Sequence, residues 1–136
     1  MNYPSDWKSE YSKKPICGVL SVATCAGITF DEATKAIKAN LQPWQKRHGG
    51  KTYHEQRVAA LRSLGKEVIV TDVVGRVTLG RVLREFDFKL DTYYMIMLST
   101  HIVTLHNGWI QDQYELSPQD LNSNLRRQVK TIVEIV

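Results

Sequence analysis

The dipeptide Asn107–Gly108 constrains the fold of this chain more than any other sequence feature. It lies between two runs rich in β-branched and aromatic residues, from Tyr93 to Leu105 and from Trp109 to Tyr114. A type I′ turn needs positive φ at both central positions, which asparagine and glycine tolerate best. The pattern therefore predicts an antiparallel hairpin in which His106 pairs with Trp109.

The register of this hairpin fixes which side chains lie together. Counting outward from the turn, Val103 pairs with Asp112 and His101 pairs with Tyr114. Because side chains alternate across a strand, these four residues share one face, with His101 and Asp112 as diagonal neighbours roughly 7–8 Å apart. We expect a hydrogen bond there from the imidazole Nδ1–H to the carboxylate.

The first half of the chain carries helical patterns. Residues Cys17 to about Ala26 are apolar and small, which predicts a closely packed central helix that Gly27 ends in the left-handed conformation. The segments Thr29–Glu32 and Thr52–Glu55 both have the form of a capping box, so each predicts the start of a further helix. Gly65 is expected to end the later one.

The second half is predicted to be mainly β. A short strand at Val68–Val70, a short helix from Thr78 to Phe86 and a last strand from Gln128 to Val136 accompany the hairpin. Ser117–Pro118 predicts a capped single turn with proline at its first helical position. Helices followed by a mainly antiparallel sheet predict an α+β fold, formed by one domain over residues 1–136.

Composition limits the class of protein. The apolar fraction of 43% and the charged fraction of 24% are those of a globular chain, and no apolar run reaches the ~18 residues of a membrane span. The polar start has no secretory signal, so we expect a cytoplasmic protein. The net charge of +4 favours nucleic acid as a partner only weakly, because short basic clusters are usually solvated faces.

Cys17 stands at the start of the small-residue helix and is followed by Gly18. A thiol at a helix N-terminus and beside an imidazolium has a lowered pKa and becomes a nucleophilic thiolate. His101 would hold the proton and pass it to a leaving group, while Asp112 would orient the imidazole. The backbone N–H of Cys17 would donate to the oxyanion. Cys25, deeper in the same helix, is predicted to be a free core thiol.

These features together resemble the papain-like cysteine peptidase superfamily, especially its compact bacterial and phage members. The shared pattern is a Cys-Gly pair that opens a small-residue helix, then a strand His, a turn with glycine and a strand Asp. The resemblance implies that Cys17 is the nucleophile, His101 the base and Asp112 the orienting acid. It also implies a protein or peptide substrate cleaved through a thioester, although the same chemistry serves amidases, deamidases and acyltransferases.

The superfamily places an oxyanion-hole glutamine six residues before the cysteine, and that position here is Tyr11. The hydroxyls of Tyr11 and Ser12 are the candidate replacements, and Gly18 and Trp44 are expected to line the substrate cleft. Tyr11 favours an alternative, an inactive papain-like module that binds a protein or nucleic acid. The three retained catalytic residue types favour the enzyme.

Several simpler interpretations stay open at this point. His101 is alternatively a hydrogen-bonded core histidine, and Asp112 a solvated strand end. A register slip of one residue would let Gln111 or Asn107 orient the imidazole. No metal site is expected, because His48 and His54 lack clustered partner ligands, and no phosphate loop or dinucleotide fingerprint predicts a cofactor. The oligomeric state has no signal in the sequence.

Overall fold

The computed structural model describes residues 1–41 and 52–136. The four helices of this part of the chain are α1 (Cys17–Ala26), α2 (Phe30–Ala39), α3 (His54–Ser63) and α4 (Leu79–Glu85), with 3-10 turns at Ser9–Lys13 and Gln119–Leu121. The six strands are β1 (Val68–Asp72), β2 (Tyr93–Leu98), β3 (Ile102–His106), β4 (Trp109–Gln111), β5 (Leu116–Pro118) and β6 (Val129–Ile135). They form one antiparallel sheet in the order β1-β6-β2-β3-β4-β5, which confirms the predicted α+β fold.

Two hydrophobic clusters cover the two faces of the sheet. Helices α1, α2 and α3 pack against Met95, Ile102 and Val133, whereas α4 packs with Ile96 and Val103. Neighbouring residues of one strand belong to different clusters because successive side chains point to opposite faces. The helices of the described chain are all too short or too polar to cross a membrane.

Helix α1 is enclosed by protein and bound to the hairpin by polar contacts. Its residues Gly18 to Cys25 are all buried, and Gly27 caps it at φ 69°, as predicted. The Ser21 and Thr104 hydroxyls lie 2.7 Å apart, and the Thr24 hydroxyl donates to Gln111 Oε1 at 2.7 Å. Buried hydrogen bonds of this kind fix one rotational setting of the helix. The start of α1 is therefore held at a defined position relative to β3 and β4.

One of the two predicted capping boxes is confirmed and the other is wrong. Thr29 accepts a hydrogen bond from the Glu32 N–H at 3.1 Å, and the Glu32 carboxylate accepts one from the Thr29 N–H at 3.2 Å. Helix α3 instead begins after Tyr53, whose N–H donates to Gln56 Oε1 at 3.1 Å. The Thr52 hydroxyl accepts a hydrogen bond from the Arg57 guanidinium at 2.8 Å instead of capping the helix.

The Asn107–Gly108 turn has positive φ at both residues, 48° and 78°, and His106 pairs with Trp109 as predicted. The run from Tyr93 to Leu105 is not one strand, however. It breaks at residues 99–100, so that β2 and β3 form a second hairpin in which Leu98 N–H donates to His101 O at 2.8 Å. This break puts His101 just before β3.

The returning strand is also shorter than predicted. It ends at Gln111, because the Asp112 carboxylate accepts the N–H groups of Tyr114 and Glu115 and turns the chain away. Tyr114 is therefore exposed and is not the strand partner of His101. The Ser117–Pro118 turn is displaced too, since both residues belong to β5 and the 3-10 turn begins at Gln119.

Candidate active site

The predicted catalytic side chains meet where the β3–β4 hairpin ends beside the start of α1. Cys17 is the first residue of α1, His101 immediately precedes β3, and Asp112 immediately follows β4. His101 Nε2 lies 2.8 Å from Asp112 Oδ2, and the same imidazole lies on one cavity wall with the Cys17 thiol and lowers the pKa of that thiol. The prediction that Nδ1 meets the carboxylate is wrong. Because Nε2 makes that bond, Nδ1 is the nitrogen left for the thiol.

Asp112 is 2% exposed, and both oxygens of its carboxylate accept hydrogen bonds. Its Oδ1 accepts the N–H groups of Tyr114 and Glu115 at 2.8 and 2.9 Å, and its Oδ2 accepts the Asn124 amide at 3.0 Å as well as the imidazole. Burial alone would raise the pKa of Asp112. The hydrogen bonds from His101, Tyr114 and Asn124 outweigh burial and lower that pKa, so the carboxylate is ionised.

Asn124 and Asn122 belong to the site, and the sequence predicts neither of them. They are buried, and Asn122 Oδ1 accepts both the N–H and the side-chain amide of Asn124 at 2.9 Å. This contact orients the Asn124 amide toward Asp112. In sequence the two residues lie in a short polar stretch before the last strand, which is typical of a solvated loop. No local signal distinguishes them.

The thiol and the imidazole shift each other's titration. Burial would raise the pKa of Cys17, but the hydrogen bond and charge of His101, the Ile102 N–H and the charge of Arg57 lower it. Burial would lower the pKa of His101, but Asp112 and Cys17 raise it to about 9. These opposite shifts favour a thiolate and an imidazolium side by side at neutral pH.

A cavity of about 520 Å³ opens beside the thiol, between the start of α1, the start of α3 and the turn before β3. Gly18 is part of its wall, as expected from the sequence. A Cβ at Gly18 would lie 2.2 Å from Thr52 Oγ1 and 3.1 Å from Arg57 Cδ, so only glycine fits this position without movement. Cys17 and His101 both line this cavity.

Tyr11 and Ser12 are engaged away from the thiol. The Tyr11 ring stacks on Phe30 with centroids 4.6 Å apart, and the Ser12 hydroxyl donates to the Ser9 carbonyl at 2.9 Å. No hydrogen bond between the described residues joins either hydroxyl to Cys17 or His101. Their oxyanion roles stay predictions.

Trp44, predicted to line the cleft, lies outside the described residues, as does His48. His54 lies at the cavity. Within residues 1–41 and 52–136, no group of three or more His, Cys, Asp or Glu side chains is arranged to hold a metal ion.

Gln113 is a third residue near the site that the sequence does not predict. It is buried, and its side-chain amide donates to the Ser12 carbonyl at 3.2 Å and also to the Lys14 carbonyl. The amide thus joins the segment before the nucleophile to the turn that follows Asp112. This link helps to keep Cys17 and Asp112 at a fixed separation.

No protein-family model matches this sequence, and no curated protein is similar to it. The function of this chain is therefore inferred from the side chains of the site.

Proposed function

We propose that this protein is a cysteine-dependent hydrolase that cleaves a peptide, isopeptide or amide bond with Cys17, His101 and Asp112. One observation carries the proposal: the His101 imidazole is hydrogen-bonded to a buried carboxylate and lines the same cavity as a thiol at the start of a helix, whose pKa it lowers. A nucleophile, a base within hydrogen-bond reach and a third group that orients the base are the requirements of nucleophilic acyl transfer. The arrangement has the papain-like order along the chain.

The reaction follows from these contacts. The Cys17 thiolate attacks the substrate carbonyl carbon, and the carbonyl oxygen becomes an oxyanion beside the Cys17 N–H, which has no intrahelical acceptor. His101 gives its Nδ1 proton to the leaving amine as the C–N bond breaks, and a thioester remains. His101 then takes a proton from water, the hydroxide attacks the thioester, and the thiolate leaves. Asp112 keeps the imidazole oriented throughout.

The second candidate function is a papain-like module that binds a protein without turnover. The position of Tyr11 favours it, since this ring packs on Phe30 where the superfamily has a glutamine that donates to the oxyanion. Loss of one oxyanion donor typically lowers the rate by about 100- to 1000-fold. Because acylation and deacylation both pass through an oxyanion, such a module would be acylated only by activated esters and would deacylate too slowly to turn over.

The activated ester p-nitrophenyl acetate separates the two candidates. The hydrolase gives a burst of p-nitrophenol, an acetyl group on Cys17 that mass spectrometry detects, and then steady release as the thioester hydrolyses. Cys17→Ala removes the burst and the steady release, whereas Cys25→Ala keeps both. A burst without later turnover favours the binding module, and acetylation that Cys17→Ala does not change contradicts both uses of the thiol.

A further inference from the structure

Arg57 is a buried cation beside the proposed nucleophile. It lies on α3, is 3% exposed and lines the same cavity as Cys17. Its Nη1 donates to the Thr52 carbonyl at 2.9 Å and to the Thr52 hydroxyl at 2.8 Å. Burial lowers the pKa of Arg57 to about 10, so the guanidinium keeps its charge at neutral pH. Both acceptors on Nη1 are neutral.

This charge has no carboxylate partner in the chain. No salt bridge between described residues includes Arg57, and residues 42–51 contain no Asp or Glu. Buried arginines are normally paired, because removal of a charge from water costs several kcal/mol. The groups that act on Arg57 through space are the Cys17 thiolate and Glu55. The cavity wall therefore presents a cation without a salt bridge to an anion that enters from outside.

The Nε–Nη2 edge of the guanidinium is complementary to a carboxylate. Among the described residues Nε has no hydrogen-bond partner, and the one hydrogen bond of Nη2 is to the Met97 thioether, at 3.2 Å. The Nε and Nη2 hydrogens lie side by side and match the two oxygens of a carboxylate. A thioether is a weak acceptor on a flexible chain, so a carboxylate oxygen replaces it readily.

His54 adds a second unpartnered group to the same wall. Its Nδ1 is buried without a hydrogen-bond partner in the described part of the chain, and the residue lines the cavity. Burial and the neighbouring Arg57 charge lower the pKa of His54, so the imidazole is neutral at pH 7. Arg57 then supplies one positive charge, which suits a monoanionic carboxylate.

We propose that Arg57, with His54 beside it, is a subsite that binds a substrate carboxylate next to the bond that Cys17 attacks. The substrate class is a peptide or acyl group that carries an acidic side chain or a C-terminal carboxylate at this position. The proposal rests on the hydrolase function proposed above, and it gives that function a specificity. Arg57 contacts the substrate and not the bond that is broken.

Iodoacetate and iodoacetamide test the subsite, because they differ only in a carboxylate and an amide. In both reactions the Cys17 sulfur displaces iodide and a C–S bond forms. A change in thiolate population alters both rates equally, so the ratio of the two rates reports how the site acts on the charge of the reagent. Arg57→Gln should lower the iodoacetate-to-iodoacetamide ratio about tenfold, the effect of losing one charged hydrogen bond. Arg57→Lys should retain part of the preference.

Arg62→Gln is the matched control, since Arg62 is an exposed arginine on the same helix. It should leave the ratio unchanged, and the circular dichroism spectrum of each variant checks its fold. An unchanged ratio in a folded Arg57→Gln variant overturns the subsite. If Cys17 of the wild type reacts like an ordinary thiol with both reagents, the hydrolase proposal itself fails.

The wild-type protein gives a second test that needs no variant. Succinate should slow the reaction of Cys17 with iodoacetamide, and succinamide at matched ionic strength should not. Equal protection by succinate and succinamide contradicts the proposal.

Discussion

The two cysteines of α1 show how position decides the chemistry of the same group. Cys25 is 4% exposed, contacts the Ser21 and Thr104 hydroxyls, and has a pKa raised to about 12. Cys17 is also largely enclosed, yet its pKa is lowered. Burial disfavours the thiolate at both sites. The difference comes from the His101 imidazolium and the Arg57 charge, which lie at the start of the helix and not at its end.

The helix itself adds to this contrast. Free N–H groups give the start of α1 a partial positive charge, whereas free carbonyl groups give its end a partial negative charge. The Cys17 thiolate lies at the favourable end, and Cys25 lies one residue before the last helical residue. A buried thiol therefore becomes reactive only where nearby positive charges offset the free-energy cost of removing its thiolate from water. We expect variants that remove these charges or contacts to change the reactivity of Cys17 or the stability of the fold, with the largest effect at His101.

Replacement of His101 should make Cys17 resemble an ordinary buried thiol. In His101→Ala we expect alkylation of Cys17 by iodoacetamide near pH 6 to fall about 100-fold, because an unassisted thiol has a pKa of about 8.5. His106→Ala is the control, since His106 stacks on Tyr93 and not on the thiol. Mass spectrometry of the Cys17 peptide measures the rate. Equal losses in both variants would mean that His101 acts only through stability.

A side chain at Gly18 should destabilise the fold next to the reactive thiol. Gly18→Ala forces Thr52 Oγ1 and Arg57 to move, which should lower the free energy of unfolding by about 1–3 kcal/mol. Gly80→Ala is the matched control on α4, where the nearest atom to a Cβ is 3.3 Å away. Urea denaturation measures both. A Gly18→Ala variant as stable as Gly80→Ala would contradict the close approach.

Asp112 should stabilise the fold only while its carboxylate is ionised. Its folded pKa lies below the ordinary value, so its contribution is present above about pH 4 and is lost as pH falls through the lower folded pKa. We expect Asp112→Asn to lower the free energy of unfolding at pH 7 by about 1–2 kcal/mol, the size of one charged hydrogen bond.

The pH dependence of this difference in the free energy of unfolding tests whether the Asp112 charge is its cause. Urea denaturation should give a stability gap between wild type and Asp112→Asn that narrows from pH 6 to about pH 3. A gap that is constant over this range would mean that the Asp112 charge contributes nothing.

The smallest effect is expected at the unreactive cysteine. Cys25→Ser keeps a small group beside the Ser21 and Thr104 hydroxyls, so the free energy of unfolding should change by about 1 kcal/mol or less. The iodoacetamide rate at Cys17 should stay at the wild-type value, which separates the two ends of α1. A loss of Cys17 reactivity would show that the two sites are coupled.

Local signals in the sequence predicted much of this fold. The small-residue helix with its glycine cap, the Thr29 capping box and the Asn107–Gly108 turn depend on neighbouring residues alone, and all three are present. The break at residues 99–100 was missed because it contains neither glycine nor proline. Without the break His101 would lie within a strand. Its position beside the thiol therefore depends on the turn at residues 99–100, which the sequence does not predict.

The candidate site was only partly predictable. Cys17, His101 and Asp112 could be selected because their residue types carry the chemistry. Asn124 and Gln113 could not, since their amides matter only where tertiary packing buries them against Asp112 and the segment before Cys17. Arg57 has no sequence signal for the same reason: a basic residue on a helix is usually solvated, and its burial in the cavity wall depends on the folded structure.

The pH dependence of Cys17 alkylation tests the central claim most directly. Wild-type protein is treated with iodoacetamide across the acidic and neutral range, and the rate at the Cys17 peptide is measured with Cys25 as the internal reference. A thiolate paired with His101 predicts fast alkylation well below about pH 8, with no reaction at Cys25. A Cys17 rate that rises only through an ordinary thiol pKa of about 8.5 would contradict the pair and the proposed function.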